Sequence, residues 1–466
     1  MSDRFKNYDD EIRQLVLDFE ENQRVDGHRY YDIDQLEIII DFYLESLSMP
    51  APPAKGNNSR DTLRPLDFRN HNLLESAIAY ARQLFPDAPS IRLREAHLYS
   101  VQGRYHKALS LLLELEHDDP ENGDIQYALG TVYSALDQSR RAIQYYLKAS
   151  HDGYQLGTVY GNVADEYYRL GRLEESLRYY KKAIAHSPDE DRSLGNLVAT
   201  YDDLNLNAEA VSFFKQFVNQ HPYSKCGWFS LGQSLMNFRD TYPQPSDTDA
   251  LDSLSSDAIE AFQFVLTIDD SFFDAYVLIA DCYQILRQPQ KAIAVLREAM
   301  EYAADPVNVL FSISTIYEDS HNYQAAAAYL RRATDQDPYF SEAWLHLAEC
   351  YSEMGDCDNA ENLYQRALGM NSESDDFWIR YADFLIDQRR FPDAVELLQQ
   401  GIVNADYPLQ FNIRLAECYF YTNQRNAMFS ILIDCLQNND NLDELFLRCP
   451  EMFSDIEVVN LIQNPE

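Results

Sequence analysis

The stretch SEAWLHLAECYSEMGDCDNAENLYQRALGMNSES, residues 341–374, decides the fold. Its bulky and small residues fall at Trp344, Leu347, Ala348 and Tyr351, then at Ala360, Tyr364 and Ala367, with Gly355 between the two groups. Spacings of three and four on either side of a glycine are those of two amphipathic helices joined by a turn. The same slots recur along the chain. Counting from Pro89 they hold Ala96, Tyr99, Gly103, Tyr105, Ala108, Leu112 and Pro120, and counting from Gly157 they hold Ala164, Tyr167, Gly171, Tyr180, Ala183 and Pro188. Alanine returns at Ala108, Ala142, Ala210, Ala258, Ala292, Ala326, Ala360 and Ala394, every 34 residues or twice that, apart from one step of 48. A fixed period of this size marks a solenoid, because one helical hairpin cannot bury its apolar face alone and must stack on its neighbours.

These residues resemble the tetratricopeptide repeat. The resemblance implies an all-α fold, an α-solenoid wound as a right-handed superhelix of about ten to eleven hairpins. Units start near residues 89, 123, 157, 191, 225, 273, 307, 341, 375 and 409. Small residues at Ala96, Gly130, Ala164, Gly232, Ala280, Ala348, Ala382 and Ala416 let the first helix of a unit (helix A) approach the second (helix B), and the alanine column does the same from helix B. Proline at Pro120, Pro188, Pro222 and Pro338 ends helix B. The chain is expected to divide into an N-terminal cap with a degenerate repeat over 1–88, an array over 89–442 forming one elongated domain, and a capping segment over 443–466. In the cap, helices are predicted from Ile33 to Leu47 and from Leu73 to Leu84, split by a linker from Pro50 to Asn58. The unit from Lys225 carries 14 extra residues within 239–257; the run DTYPQPSDTDALDSLSSD from Asp240 reads as a solvated loop.

Composition narrows the function. The 76 acidic residues outnumber 38 Lys and Arg, for a net charge of −38, so nucleic-acid phosphate and anionic lipid are disfavoured as partners. After Lys291 no lysine remains, and the acids outnumber the arginines three to one. No segment approaches the ~20 apolar residues of a membrane span. Met1 to Glu20 lacks the apolar core of a secretory signal, and seven cysteines suit a reducing compartment, so a cytoplasmic location is expected. Phosphate-binding glycine loops, nucleophile elbows and zinc-helix motifs do not occur, and no C-x-x-C exists. No enzyme activity, cofactor or metal is therefore expected. Cys282, Cys350 and Cys418 occupy one repeat slot beside Tyr283, Tyr351 and Tyr419 and read as packing residues.

Function is then expected on a surface. The family resemblance implies that helices A line a concave groove, with the fifth and ninth residues of each unit pointing into it. The apolar fifth positions Tyr127, Phe229, Val277, Phe311, Leu345, Ile379 and Ile413, together with the acidic ninth positions Asp281, Glu349, Asp383 and Glu417, form the candidate peptide-binding groove. Such a surface suits a basic or amphipathic protein segment. The lysine and asparagine clamp with which some family members hold chaperone carboxylates is absent, since no fifth position is Lys and no ninth is Asn. The leading expectation is a scaffold or adaptor. Its alternatives are a self-associating or structural arm of a larger complex and, last, a regulatory module of an enzyme.

Overall fold

The computed structural model describes residues 10–24, 29–48 and 71–463, apart from 152, 154, 189, 304, 406, 407, 439 and 440. The described residues are helical throughout, with no strand among them. Their packing divides into two compact units, 1–245 and 246–466, where a single elongated domain was expected; the boundary falls inside the 14-residue insertion.

In the first unit, α1 (Asp10–Arg24), α2 (Ile33–Ser48) and α3 (His71–Leu84) precede the hairpins. These are α4 (Pro89–Val101) with α5 (Tyr105–Asp118), α6 (Gly123–Ala135) with α7 (Ser139–His151), α8 (Leu156–Arg169) with α9 (Leu173–His186), and α10 (Asp191–Asp203) with α11 (Asn207–Gln220), followed by α12 (Lys225–Asp240). The second unit begins with α13 (Thr248–Ile268). Then come α14 (Phe273–Ile285) with α15 (Pro289–Ala299), α16 (Pro306–Asp319) with α17 (Tyr323–Gln336), α18 (Ser341–Glu353) with α19 (Cys357–Met370), α20 (Asp375–Asp387) with α21 (Phe391–Gly401), and α22 (Pro408–Tyr421) with α23 (Arg425–Gln437). Two short helices, α24 (Asp443–Arg448) and α25 (Ile456–Gln463), follow.

The seam between helices A and B is as tight as the small residues permit. Ala348 and Ala360 are fully buried, and a methyl group at Gly130 would stand 2.6 Å from the Tyr146 ring on the paired helix. Each hairpin turn is closed by a left-handed residue at a fixed place: Gly103, Asp137, Gly171 and Asn205 in the first unit, Arg287, His321, Gly355, Arg389 and Asn423 in the second, with φ between 54° and 80°. There Gly355 N donates to Ser352 O (2.9 Å) and Asp356 N to Tyr351 O (2.9 Å), satisfying carbonyls at the end of α18.

Arg239 holds that place in the unit from Lys225 but lies inside α12, so the turn is replaced by the insertion. The insertion is not a loop throughout. It becomes helical at Thr248, where Asp247 accepts a hydrogen bond from Ala250 N (3.1 Å), and Ser255 and Ala258 continue one buried face into Phe262. Only residues 241–247 are non-helical. The Pro50 to Asn58 linker lies outside the described residues. Helix α1 lies outside the helices predicted from the sequence: Val16 and Phe19 pack with Leu36, Ile39 and Leu74 in the core that also takes Ile91 of α4. At the other end Leu445, Cys449, Met452 and Val458 join the core of α22 and α23.

Two glycines of the second unit separate turn strain from helix propensity. Gly355→Ala places a side chain at φ 80° and is expected to destabilise by about 1 kcal/mol. Gly369→Ala, in the last turn of α19 with open space around it, is expected to stabilise by a few tenths of a kcal/mol, less than the ~1 kcal/mol of a helix interior. Urea unfolding of the two variants checks the opposite signs.

Candidate functional site

Residues three and four apart share a helix face, so each helix A presents its fifth, sixth and ninth residues together. Consecutive helices A are tied by one recurring contact, from an acid at the ninth position of a unit to the sixth position of the next. Glu349 on α18 accepts from Arg380 Nη1 on α20 at 2.9 Å. Asp383 on α20 accepts two bonds from Arg414 on α22, from Nε and Nη2, both 2.9 Å. Glu417 on α22 accepts from Arg448 Nε on α24 at 2.7 Å. Arg448 also reaches Asp383 (2.7 Å) and Arg414 reaches Glu444 (3.2 Å), so the last three helices A share one network. The first unit carries two such rungs. Arg94 grips Asp41 with Nε (2.8 Å) and Nη2 (2.5 Å), and Asn196 donates to Asp165 at 3.1 Å.

This ladder changes the reading of the groove. Glu349, Asp383 and Glu417 are held by the chain's own arginines, and Glu417 is buried along with Leu345 and Ile413. Leu345, Ile413 and Glu417 therefore do not line an open surface. Burial pushes the Glu417 carboxyl above its ordinary range, and the Arg448 guanidinium only partly offsets it. Tyr127, Phe229, Val277, Phe311 and Ile379 are half-buried. Tyr127 Oη accepts from Asn162 Nδ2 at 3.0 Å, and the Phe311 ring stands 5.0 Å from His346 and 5.1 Å from Phe340. Asp281 differs from the other acids: it is half-buried and has no hydrogen bond or ion pair among the described residues, and burial alone raises its carboxyl.

His346 and the sixth-position arginines are the functional candidates that the acidic column hid. They form a column of their own, His346, Arg380, Arg414 and Arg448, at 34-residue steps visible in the sequence. Burial pulls the His346 imidazole down, but its hydrogen bond with Glu318 (2.8 Å) and the charges of Glu318 and Glu349 outweigh this and hold it above its ordinary value.

Cys282, Cys350 and Cys418 are fully buried; burial raises the Cys418 thiol to about 12, which suits packing rather than reactivity. Between α19, α20 and α21 a cleft of about 580 Å³ is lined by Glu361, Tyr381 and Arg390 among others. Its centre, Arg390, is already held by Glu361 and Asp393, both at 2.7 Å. Among the described residues no His, Cys, Asp and Glu side chains gather into a metal-holding group, and no helix is long and apolar enough to cross a membrane.

Paired helices stacked through a small-residue seam, with one face of helices A laddered together, define a helical-repeat solenoid in each unit. Tetratricopeptide-repeat models match residues 93–153, 157–190, 273–306, 318–362 and 353–406, and the chain is a tetratricopeptide-repeat protein. It is 20% identical over 184 residues to the BBSome complex member BBS4 of Bos taurus, matching 39% of this chain and 35% of that protein, so it spans about a third of this curated relative's length. Among solved structures, it is similar to a thermophilic tetratricopeptide-repeat protein of Thermus thermophilus at 18% identity, with TM-score 0.32, over 42% of this chain and 98% of that one. It is also similar to a chain of the Cut9–Hcn1 hetero-tetramer of the APC/C at 13% identity, with TM-score 0.36, over 98% of this chain and 94% of the other.

Two measurements probe the ladder. Arg448→Met leaves the buried Glu417 and Asp383 without a shared cation and is expected to cost about 2 kcal/mol in the second unit, between the values for exposed and buried pairs. Adding Glu417→Leu is expected to recover most of that loss in the same urea titration. His346 is held above its unfolded value, so its contribution is fully present below about pH 6.5 and is lost as pH rises through the folded value. Stability curves from pH 5 to 9 are expected to lose that falling component in His346→Gln.

Proposed function

We propose that this chain is a non-enzymatic scaffold that holds a segment of another protein along its helices A. Tetratricopeptide arrays present extended concave surfaces and lack a catalytic cleft, and that architecture supports the reading. The observation that carries it is a row of half-buried apolar residues on helices A, Val277, Phe311 and Ile379, accompanied by one acid without a partner, Asp281. Half-buried side chains can lose further area to a ligand at about 25 cal/mol per Å². The segment is amphipathic or extended, with apolar anchors supplying most of the affinity and basic residues setting its register. The odd number of cysteines, seven, suits a cytoplasmic setting better than a disulfide framework.

A second reading, self-association or a structural arm, is favoured by the C-terminal end. Leu447, the fifth residue counted from Asp443, is 84% exposed, and Ile456 is 75% exposed. Hydrogen exchange of the full chain with and without a captured partner separates the two. Slowed exchange in α14, α16, α18 and α20 is the outcome expected of the scaffold. Slowing confined to α24 and α25, appearing with increasing protein concentration alone, overturns it in favour of self-association.

A further inference from the structure

We propose that Asp281 is a vacant rung of the acid–arginine ladder and that it takes a guanidinium from the bound partner, so that the recognised segment carries an arginine at this point. The inference rests on the scaffold reading and adds the chemistry that sets register.

Three rungs of the second unit follow one rule: an acid at the ninth position of one helix A meets an arginine at the sixth position of the next, 31 residues on. Their N to O distances are 2.7 to 2.9 Å. Applied to Asp281, the rule names Ser312. Serine is too short to reach across, and its hydroxyl donates instead to Asn308 O of its own helix at 3.1 Å. Asp281 thus keeps the acid of the ladder and the partial burial that goes with it, but not the cation.

What the chain lacks at this rung, a ligand can supply. The neighbouring fifth positions on the two helices are Val277 and Phe311, both half-buried, and they offer an apolar surface to the methylene stem of a long cationic side chain while its head meets Asp281. Guanidinium suits the position better than ammonium, because the Asp383 rung shows the geometry it would repeat, two parallel N–H bonds from Nε and Nη2 to one carboxylate. A lysine has no second donor at that spacing.

The test uses the full chain and a fluorescein-labelled peptide of alternating leucine and arginine, acetylated and amidated at its ends, beside the same peptide with citrulline in place of arginine. Asp281→Asn is expected to weaken the arginine peptide by about tenfold or more and to leave the citrulline peptide unchanged. Asp358→Asn, an exposed acid on α19, is the control for general charge attraction and is expected to change neither. Ser312→Arg fills the rung from within: it is expected to weaken the arginine peptide as Asp281→Asn does and to raise the melting midpoint by about 2 °C, a rise that disappears in the double variant with Asp281→Asn. Arginine-peptide affinity unchanged in both Asp281→Asn and Ser312→Arg overturns the rung while leaving the scaffold standing. Failure of both peptides to bind the unaltered chain overturns the scaffold reading and the rung with it.

Discussion

The close approach of helix A to helix B, through a small residue on each, is the constraint from which the rest of this structure follows. A methyl at Gly130 would already collide with Tyr146, and Ala348 and Ala360 are entirely enclosed. With the two axes fixed so near each other, bulky residues fill the flanks and the hairpin turn has one geometry available to it. Hence a left-handed residue stands at the same place in each turned unit, even where it is arginine, histidine or asparagine and carries a backbone cost of order 1–2 kcal/mol. Stacking of similar hairpins then repeats each face, and a contact made once between adjacent helices A is made again 34 residues later wherever the residue types recur.

That repetition decides what the high negative charge does. A net charge of −38 suggests acidic faces everywhere, yet on helices A of the second unit three of the four ninth-position acids, Glu349, Asp383 and Glu417, meet arginines at the sixth. Glu349, Asp383 and Glu417 are therefore elements of inter-repeat cohesion, with Arg414 and Glu417 buried and Arg448 joining two rungs. Removing one partner from such a network costs more than the pair contributes, because an uncompensated charge stays behind in a poorly solvated place. In the scaffold proposed above, long-range attraction for a basic segment would come from the remaining, solvated acids and discrimination from Asp281.

Much of this was legible in the chain. The 34-residue columns mark the seam, the turns and the boundaries of the helices because close packing tolerates few residue types there. Burial at the fifth positions was not legible: Leu345 and Ile379 look alike in sequence, yet the first is buried and the second half-buried. The insertion misled through composition. Its prolines and serines suggest a loop, while Asp247 as a cap and Leu251, Ser255, Ala258 and Phe262 at helical spacing carry α13. In α1 the surrounding charge conceals a short apolar face of Ile12, Val16 and Phe19. The ladder stood in plain view as His346, Arg380, Arg414 and Arg448, but a column of bases gains meaning only beside the acids 31 residues earlier.

The ladder is also uneven, and its unevenness bears on where binding can occur. From α18 onward successive helices A are joined by charged hydrogen bonds, ending in the network of Asp383, Arg414, Glu417, Glu444 and Arg448. Nearer the start of this unit the pattern lapses: Ser312 stands at the sixth position and Thr315 at the ninth, and His346 turns to Glu318 instead. A surface whose polar groups are already satisfied offers a ligand only exchange of one partner for another, with little net gain. A half-buried carboxylate with no partner in the chain gives a ligand an acceptor from which no arginine has to be displaced. Local inconsistency of this kind, in a chain otherwise consistent from turn to seam to ladder, is where a functional contact is expected to be found, because stability alone would favour an arginine at residue 312.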